Sequence, residues 1–203
     1  GSDGQYESSI NVTTIFKQGE SIKNFDKYVV TSPKIADTAN INGFFMDIQR
    51  YSLPNGEYKM EITIEDSNNK SQKPLVVEET ILIDFPENIC FSSIIGLEDY
   101  KPATEVSPTT KNGYDLIPMV MPYYPENINI LIFYAEIYNT MKALGENEKY
   151  LLNTYIMTFE SNTKISNFFF TKRMNVKDTE VIINTIDISN LPSGNYYLVL
   201  EAR

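Results

Sequence analysis

Short runs in which apolar and polar residues alternate dominate the chain, and clusters of Asn, Asp, Gly, Pro and Ser separate them. The segment Glu57 to Glu65 is the clearest example, because apolar side chains occupy every second position and charged residues or Thr lie between them. A period of two predicts a β-strand with one face on the core and the other in water. Helical periodicity is scarce, so we expect an all-β protein.

The alternating runs predict strands along the whole chain. The strands predicted for the first half are Tyr6 to Phe16, Lys27 to Thr31, Gly43 to Arg50, Glu57 to Glu65 and Leu75 to Phe85. Those predicted for the second half are Ile89 to Leu97, Tyr114 to Met121, Ile128 to Tyr138, Tyr150 to Phe159, Ser166 to Lys172, Thr179 to Ile188 and Asn195 to Ala202. The number of strands in the second half suits a β-sandwich.

Three segments between the strands are rich in residues that favour turns or short helices. Asp66 to Ser71 predicts the turn of a hairpin. Thr140 to Lys149 is the best helical candidate, but Gly145 and its length limit it to about one turn, so we expect a long hairpin loop there. Pro33 to Asn42 has room for one helical turn.

A break in the pattern divides the chain into two parts. The segment Phe85-Pro86-Glu87-Asn88 lies between two apolar runs and supplies the proline that a linker favours. We therefore predict a first β-sandwich module at residues 1–86 and a second at residues 87–203.

A hexapeptide of the form Leu-Pro-x-Gly-x-Tyr occurs twice, at Leu53 to Tyr58 and at Leu191 to Tyr196. In immunoglobulin-like sandwiches, a tyrosine near the start of the penultimate strand donates its hydroxyl to backbone a few residues upstream. In both copies Pro fixes φ, Gly permits a positive φ, and Tyr begins an alternating run. We assign Tyr58 and Tyr196 as structural tyrosine corners and predict two tandem immunoglobulin-like or fibronectin-III-like domains; two unrelated turns are the alternative.

The two copies differ in the segments on their C-terminal sides. The first is succeeded by a further predicted strand, Leu75 to Phe85, whereas the strand after the second reaches Arg203. We therefore expect the second module to be truncated at its C-terminal end, with an edge of unpaired backbone groups. Such an edge favours pairing with another chain, so we expect self-association by the edge strand or contact with a protein partner. Natural continuation of the chain into a further domain is the alternative.

The charge of the chain narrows the range of partners. With 17 Lys and Arg against 27 Asp and Glu, the 203 residues carry a net charge of -10. This charge disfavours binding to phosphate backbones, so no nucleic-acid partner is expected. The longest apolar runs, such as Ile130 to Ala135, are far shorter than the roughly 20 residues of a membrane-spanning helix.

Missing residue types exclude several kinds of chemistry. The chain has no His and no Trp, and Cys90 is its single cysteine. Catalytic Ser-His-Asp or Cys-His couples, His-bearing zinc sites and internal disulfides are therefore excluded. The oxygen-rich loop after Asp66 lacks the glycine and the distant Glu of a calcium loop. Neighbouring carboxylates, such as Glu78 and Glu79, point to opposite faces of a strand, so we expect no enzyme, no cofactor and no metal.

The second half resembles a known family. The residues that carry the resemblance are Ile132 to Asn139 (IFYAEIYN) and Ile186 to Tyr196 (IDISNLPSGNY). They are similar to the β-sandwich region upstream of the GWxTD domain in exported Bacteroidota proteins, over roughly residues 87–203. The chain has no Trp and so does not contain the GWxTD motif itself. The resemblance implies a non-catalytic β module of a larger periplasmic or cell-surface protein.

Two aromatic segments are candidates for binding. Tyr123 and Tyr124 lie between two prolines, where they could form a rigid platform for a protein or a sugar; the isomer of the Tyr124-Pro125 bond is left open. Phe168 to Phe170 puts aromatic side chains on both faces of a strand, which suits a central, doubly covered strand or an interface. We therefore expect a binding or scaffolding segment that contacts a protein through loops or an edge strand; a carbohydrate-binding module with stacking tyrosines is the alternative.

Overall fold

The computed structural model describes residues 4–39, 46–121 and 123–203. The protein is all-β, and contacts within the chain divide it into two compact units, Gly1–Phe85 and Pro86–Arg203. The strands of the first unit are β1 (Ser9–Gln18), β2 (Ser21–Thr31), β3 (Gly56–Asp66) and β4 (Leu75–Ile83). The elements of the second unit are β5 (Cys90–Phe91), β6 (Ile95–Pro102), β7 (Thr110–Lys111), β8 (Tyr114–Pro118), β9 (Ile130–Tyr138), the short helix α1 (Thr140–Leu144), β10 (Lys149–Thr158), β11 (Lys164–Asn175), β12 (Thr179–Asp187) and β13 (Tyr196–Ala202).

The first unit contains an antiparallel sheet in the order β2-β1-β3-β4. The predicted strand Glu57 to Glu65 lies within β3, and its Tyr58 is buried while Glu57 and Lys59 are exposed. The predicted hairpin is confirmed, because β4 pairs antiparallel with β3. Within residues 4–39 and 46–85 the strands form this one sheet, so a two-layer sandwich stays a prediction for the first unit.

One face of this sheet is covered by the segment that precedes β3. The ring of Tyr51 packs on Phe16 with centroids 4.9 Å apart, and its hydroxyl donates to Asp26 at 3.2 Å. The hydroxyl of Tyr28 donates to Asp47 at 2.9 Å. These contacts hold the segment across the sheet instead of along its edge. Residues 46–50 therefore form no strand, contrary to the prediction, and positions 43–45 of that predicted strand lie outside the described residues.

The second unit is a sandwich of two antiparallel sheets. The smaller sheet has the order β11-β10-β13, and the larger has the order β12-β9-β6-β8-β7, with β5 also paired to β9. The two sheets share one core of buried side chains. Its members include Phe133, Ala135 and Ile137 of β9, Leu152 and Ile156 of β10, Phe168 of β11, and Ile182 and Ile186 of β12. The all-β sandwich expected from the alternation is therefore confirmed for this unit.

The opposite face of β9 carries a second buried cluster. Leu97 of β6, Leu116 of β8 and Tyr134 of β9 form its centre. Because successive residues of a strand point to opposite faces, β9 contributes to both clusters, and all five residues from Phe133 to Ile137 are buried.

Two connections in the second unit differ from the predictions. The predicted strand Ile89 to Leu97 is split into β5 and β6. At the break, the backbone N–H of Glu136 in β9 donates to the side-chain hydroxyl of Ser92 at 2.9 Å. The segment Thr140 to Lys149 is not a hairpin loop, because β9 and β10 belong to different sheets and α1 crosses between them. The hydroxyl of Thr140 fixes this crossing by donating to the carbonyl of Lys177 at 2.7 Å.

In the first unit, no helix is found in residues 33–39, and the rest of the helical turn predicted for Pro33 to Asn42 lies outside the described residues.

The two units contain matching three-stranded sheets, which we call the repeat sheets. They are β2-β1-β3 in the first unit and β11-β10-β13 in the second. Three buried side chains of β1, at Val12, Thr14 and Phe16, correspond to three of β10, at Leu152, Thr154 and Ile156. Their cross-strand partners are Ile64, Ile62 and Met60 in β3 and Ala202, Leu200 and Leu198 in β13. In each unit these partners are the second, fourth and sixth residues after the hexapeptide tyrosine, Tyr58 or Tyr196. The two sheets therefore share one register.

Candidate binding surface

The two hexapeptides form the same local structure at the start of the third strand of each repeat sheet. The hydroxyl of Tyr58 donates to the carbonyl of Pro54 at 2.9 Å, and the hydroxyl of Tyr196 donates to the carbonyl of Pro192 at 2.7 Å. Each hydrogen bond spans four residues and fixes the chain where it enters the strand.

The two hexapeptide glycines have different reasons for lacking a side chain. A Cβ on Gly194 would lie 3.2 Å from the hydroxyl oxygen of Tyr196, which is tighter than an ordinary contact, whereas a Cβ on Gly56 would lie an ordinary 3.5 Å from the ring of Tyr58 and 2.9 Å from the side-chain nitrogen of Gln18. Gly56 also has a positive φ of 153°, whereas Gly194 does not have one. The expectation of a positive φ therefore holds for the first copy alone, and close approach of the ring explains the second.

We expect Tyr196→Phe to lower the free energy of unfolding of the second unit by about 1 kcal/mol, since it removes one hydrogen bond and keeps the ring. Tyr197→Phe, at the next residue, is the matched control and is expected to change stability by less than about 0.5 kcal/mol. Urea unfolding of both variants measures the difference. Equal effects of the two substitutions would show that the hydrogen bond to Pro192 contributes nothing to stability.

The outer edge of β13 is the point at which the repeat sheets differ. In the first unit β4 pairs along the corresponding edge of β3, whereas no strand among the described residues pairs with that edge of β13. Leu151 and Arg203 exchange two backbone hydrogen bonds, of 2.8 and 2.9 Å. Antiparallel pairing alternates, so the backbone groups that point away from β10 are those of Tyr196, Leu198, Leu200 and Ala202. The strand therefore presents four N–H and four C=O groups on its outer edge.

The face of β11-β10-β13 that points away from the core carries a group of aromatic side chains. The rings of Tyr155 and Phe169 stack with centroids 5.5 Å apart, and those of Phe159 and Tyr197 lie 5.0 Å apart. The ammonium group of Lys164 lies 4.1 Å from the centroid of Tyr155. Phe159 is 52% exposed, and Phe169 and Tyr197 are each 41% exposed. We call these four aromatic residues the aromatic face.

The structure corrects the interpretation of Phe168 to Phe170. The three residues lie in β11, which is an edge strand of the smaller sheet and not a central, doubly covered one. Phe168 enters the core, whereas Phe169 belongs to the aromatic face and Phe170 is 43% exposed. Phe170 lines a cleft of about 350 Å³ that also includes Leu152, Met174 and the edge of β12.

The two tyrosines of the candidate loop lie in different surroundings. Tyr123 is 71% exposed, and its neighbours Val120 and Met121 are exposed as well. Tyr124 is half-buried, and its hydroxyl oxygen would lie 3.5 Å from a Cβ placed on Gly96. Burial raises the pKa of Tyr124 above its usual value. No peptide bond among the described residues is cis, so Tyr124-Pro125 is trans, and the loop presents one exposed tyrosine in place of a pair.

A buried carboxylate connects β9 to the turn between β7 and β8. Glu136 is 4% exposed and accepts hydrogen bonds from the hydroxyls of Tyr134 and Tyr138 and from the side-chain amide of Asn112. The ammonium group of Lys111 lies 3.2 Å from its Oε2. Each oxygen of the carboxylate thus has at least two partners, which a buried charge requires.

These contacts keep Glu136 ionised. Burial acts to raise its pKa, but the hydrogen bonds from Tyr134, Tyr138 and Lys111 and the charge of Lys111 outweigh burial, so the pKa lies below the usual value of 4.5. Burial, together with the hydrogen bonds to the carboxylate, raises the pKa of both tyrosines. The network is therefore a charged, fully bonded cluster that holds the β7–β8 turn on β9.

Sequence reasoning missed this network, although two signals were present. Asn112-Gly113 is the dipeptide most typical of a two-residue hairpin turn, and both residues have positive φ, 48° and 82°. In addition, Tyr134, Glu136 and Tyr138 occupy alternate positions of one strand, where a single charge amid apolar residues indicates a buried partner.

The described residues offer little that could hold a metal ion. Within residues 4–39, 46–121 and 123–203 no three His, Cys, Asp or Glu side chains are grouped closely enough to bind one. The carboxylate of Asp66, in the oxygen-rich loop, accepts hydrogen bonds from the backbone N–H of Asn68 at 2.7 Å and of Asn69 at 3.2 Å. The loop thus uses its carboxylate to stabilise its own turn.

No protein-family model matches the chain, and a search of the curated proteins finds no similar sequence. Among the helices of the described residues, none has the length and apolar character that a membrane crossing needs.

Proposed function

We propose that the chain is a non-catalytic binding segment of a larger exported bacterial protein, and that it contacts a protein partner through the aromatic face. The single observation that carries this proposal is the exposure of Phe159, Phe169 and Tyr197 on one side of a three-stranded sheet. The outward side of such a sheet is usually polar. An exposed apolar group of this kind is typical of an interaction site.

The composition of the aromatic face favours a protein partner. Tyr and Phe are enriched at the centres of protein interfaces, where they bury a large area at little cost in side-chain entropy. A strip of polar side chains, in which Asn153 donates to Glu201 at 3.0 Å and accepts from Thr171 at 2.7 Å, borders the aromatic residues. An apolar centre beside a polar border is the arrangement of a protein interface.

The corresponding face of the first unit keeps one exposed aromatic ring, that of Phe25 at 56%, but lacks the other aromatic side chains. By the shared register, Ile15, Phe25 and Lys59 occupy the positions of Tyr155, Phe169 and Tyr197. Lys59 forms an ion pair with Glu78 at 2.8 Å, so charge replaces an aromatic ring there. This contrast supports binding by the second unit in particular.

A non-catalytic role is supported by the side chains themselves. The chain has no His, and its best-buried carboxylate, Glu136, is engaged by Tyr134, Tyr138, Asn112 and Lys111. Export to the periplasm or the cell surface rests on the resemblance to the region upstream of the GWxTD domain. Cell fractionation of the full-length protein tests that part of the proposal.

Site-specific photo-crosslinking tests binding by the aromatic face. A photoreactive phenylalanine at position 197, in cells that naturally express the protein, is expected to give a discrete adduct with another polypeptide. The same residue at position 59 is the matched control, since Lys59 holds the equivalent place in the first repeat sheet. Tyr155→Asp should remove the adduct by disrupting the face. Adducts of equal yield at positions 59 and 197 would contradict the proposal.

Carbohydrate binding is the second candidate, and the exposure of Tyr123 favours it. A single ring can stack on a sugar, but Tyr124 lies against Gly96, so the platform is smaller than the sequence predicts. A glycan array in which Tyr123→Ala abolishes a specific signal and Tyr124→Ala leaves it unchanged would support this alternative.

A further inference from the structure

We propose that the cleft between β11 and β12 binds a small carboxylate with an apolar body. β11 is an edge strand of the smaller sheet, and β12 is an edge strand of the larger one. The cleft has a volume of about 350 Å³ and is lined by residues of β10, β11 and β12. Sites for small molecules typically have volumes of roughly 300 to 1,000 Å³. The aromatic face lies on the opposite side of the smaller sheet, so this inference is independent of the proposed function.

The floor and walls of the cleft are apolar. Leu152 of β10 and Ile182 of β12 are buried members of the sandwich core. Phe170 and Met174 of β11 lie on the same side of that strand as Phe168, which enters the core, because alternate residues of a strand share a face. The ring of Phe170 is nevertheless 43% exposed. A ligand with an apolar body would therefore remove this ring from water.

Polar side chains from all three strands line the same cleft. They are Thr154 of β10, Lys172 of β11 and Asn184 of β12. Thr154 is 4% exposed, and its hydroxyl has no hydrogen-bond partner among the described residues. The amide oxygen of Asn184 accepts from the backbone N–H of Thr185 at 2.9 Å, which leaves its N–H groups as donors. The cleft thus offers hydrogen-bond donors that an acceptor group of a ligand would satisfy.

The charge of the lining favours an anion. The chain has 27 Asp and Glu residues, but none of the described residues that line the cleft is acidic. Lys172 supplies a positive charge, and within residues 4–39, 46–121 and 123–203 its ammonium group has no carboxylate partner. One lysine balances one negative charge, so a carboxylate fits this site better than a doubly charged phosphate.

The first unit shows a carboxylate at the equivalent place. By the shared register, Tyr28 of β2 occupies the position of Lys172, since Tyr28 is the cross-strand partner of Val12 and Lys172 is that of Leu152. The hydroxyl of Tyr28 donates to the carboxylate of Asp47 at 2.9 Å. A donor at this position of the sheet therefore meets a carboxylate that the chain itself supplies.

In the second unit that carboxylate is replaced by an uncharged side chain. Asp47 lies eleven residues before the hexapeptide tyrosine Tyr58, and Thr185 lies eleven residues before Tyr196. Thr185 and Lys172 both line the cleft. The second unit thus keeps the donor and lacks the acid. The carboxylate of a ligand would take the role that Asp47 has in the first unit.

Protection of the sheet edge is a simpler role for Lys172. An inward-facing lysine on an edge strand discourages pairing with another sheet. This role accounts for the lysine, but not for the unpartnered hydroxyl of Thr154 or for the apolar cleft beneath it. Ligand binding separates the two roles, because edge protection requires no affinity for a carboxylate.

Titration of the full chain with three probes of equal chain length tests the proposal. Octanoate carries the proposed carboxylate, whereas 1-octanol and octylammonium carry a neutral and a positive head group. We expect octanoate to bind saturably and to shift the amide NMR signals of Lys172 and Asn184, and the other probes to bind at least about tenfold more weakly. Equal affinity for octanoate and 1-octanol, or no saturable binding of octanoate up to about 10 mM, would overturn the proposal.

Two matched substitutions on β11 locate the charge that binds the carboxylate. Lys172→Met keeps an apolar side chain of similar length and removes the charge, so octanoate should bind at least about tenfold more weakly. Arg173→Met is the control, since the next residue of a strand faces the opposite side. Both positions are exposed, so both variants should fold. Equal weakening by the two substitutions would show that general charge attracts octanoate and would overturn the site.

A variant that fills the cleft gives an independent test. Asn184 is partly exposed at the edge of β12, so Asn184→Phe should fold and place a ring in the space that the ligand needs. Urea unfolding checks that the variant is folded, and we expect it to bind octanoate at least about tenfold more weakly than the wild type. Undiminished binding of octanoate by folded Asn184→Phe would overturn the proposal.

Discussion

Replacing Glu136 with glutamine is expected to lower the free energy of unfolding of the second unit by about 3 kcal/mol. The substitution keeps the size of the side chain but leaves Lys111 without its partner and gives the hydroxyls of Tyr134 and Tyr138 a weaker acceptor. Breaking a buried ion pair from one side costs about 3 to 5 kcal/mol, and the lower end applies because the Lys111 side chain keeps 32% of its exposure. Urea unfolding measures the change.

An exposed ion pair provides the control for this prediction. Glu87→Gln removes the exposed ion pair with Lys142, and we expect no measurable change in stability from it.

The effect of Glu136→Gln on stability should also depend on pH. The pKa of Glu136 is lowered in the folded protein, so its contribution to stability is complete above the unfolded pKa of about 4.3 and disappears as the pH falls through the folded value.

The pH dependence is read from wild type and variant together. The difference in unfolding free energy between them is expected to be constant from about pH 7 to about pH 5 and to shrink below about pH 4. A difference that keeps its full size down to about pH 2.5 would show that shape, and not charge, explains the effect of Glu136→Gln.

Phe133→Ala is expected to destabilise the second unit by about 3 to 5 kcal/mol. Phe133 is fully buried at the centre of the sandwich core, where its loss removes apolar contacts and leaves a cavity between two sheets that cannot close completely. The matched control is Phe170→Ala, at a half-exposed ring on the edge strand β11, which we expect to cost about 1 kcal/mol. Chemical denaturation of both variants gives the comparison, and similar losses would show that the core relaxes around the missing ring.

Much of the strand content could be predicted from the sequence because alternation has a direct physical cause. A strand with one face on a core must alternate, and Glu57 to Glu65 lies within the observed β3. Ile128 to Tyr138 is a nearly continuous apolar run and lies largely in β9, which is buried on both faces. The strand predicted at Gly43 to Arg50 failed at residues 46–50, where Tyr28 and Tyr51 hold the chain across the sheet by long-range contacts. Long-range contacts of this kind produce no periodic pattern of apolar and polar residues in the local sequence.

The candidate surface was harder to predict than the fold. Tyr123 and Tyr124 are adjacent in sequence, but which of two tyrosines faces a sheet depends on its packing neighbour, here Gly96 for Tyr124. The aromatic face joins residues from three strands, and their proximity follows from the pairing register, which a single sequence does not contain. The repeated hexapeptide was the exception, because all parts of its hydrogen bond lie within six residues.

The position of β9 between two buried clusters has a consequence for how the second unit loses its structure. Phe133, Ala135 and Ile137 belong to the cluster between the two sheets and Tyr134 to the cluster on the opposite face of the larger sheet, so β9 is buried on both of its faces. Local opening should therefore begin at the short strands β5 and β7, and β9 should be the last part of a single cooperative unit to exchange its amide hydrogens. The most persistent structure of the second unit should therefore lie in its middle strand and not at its edges.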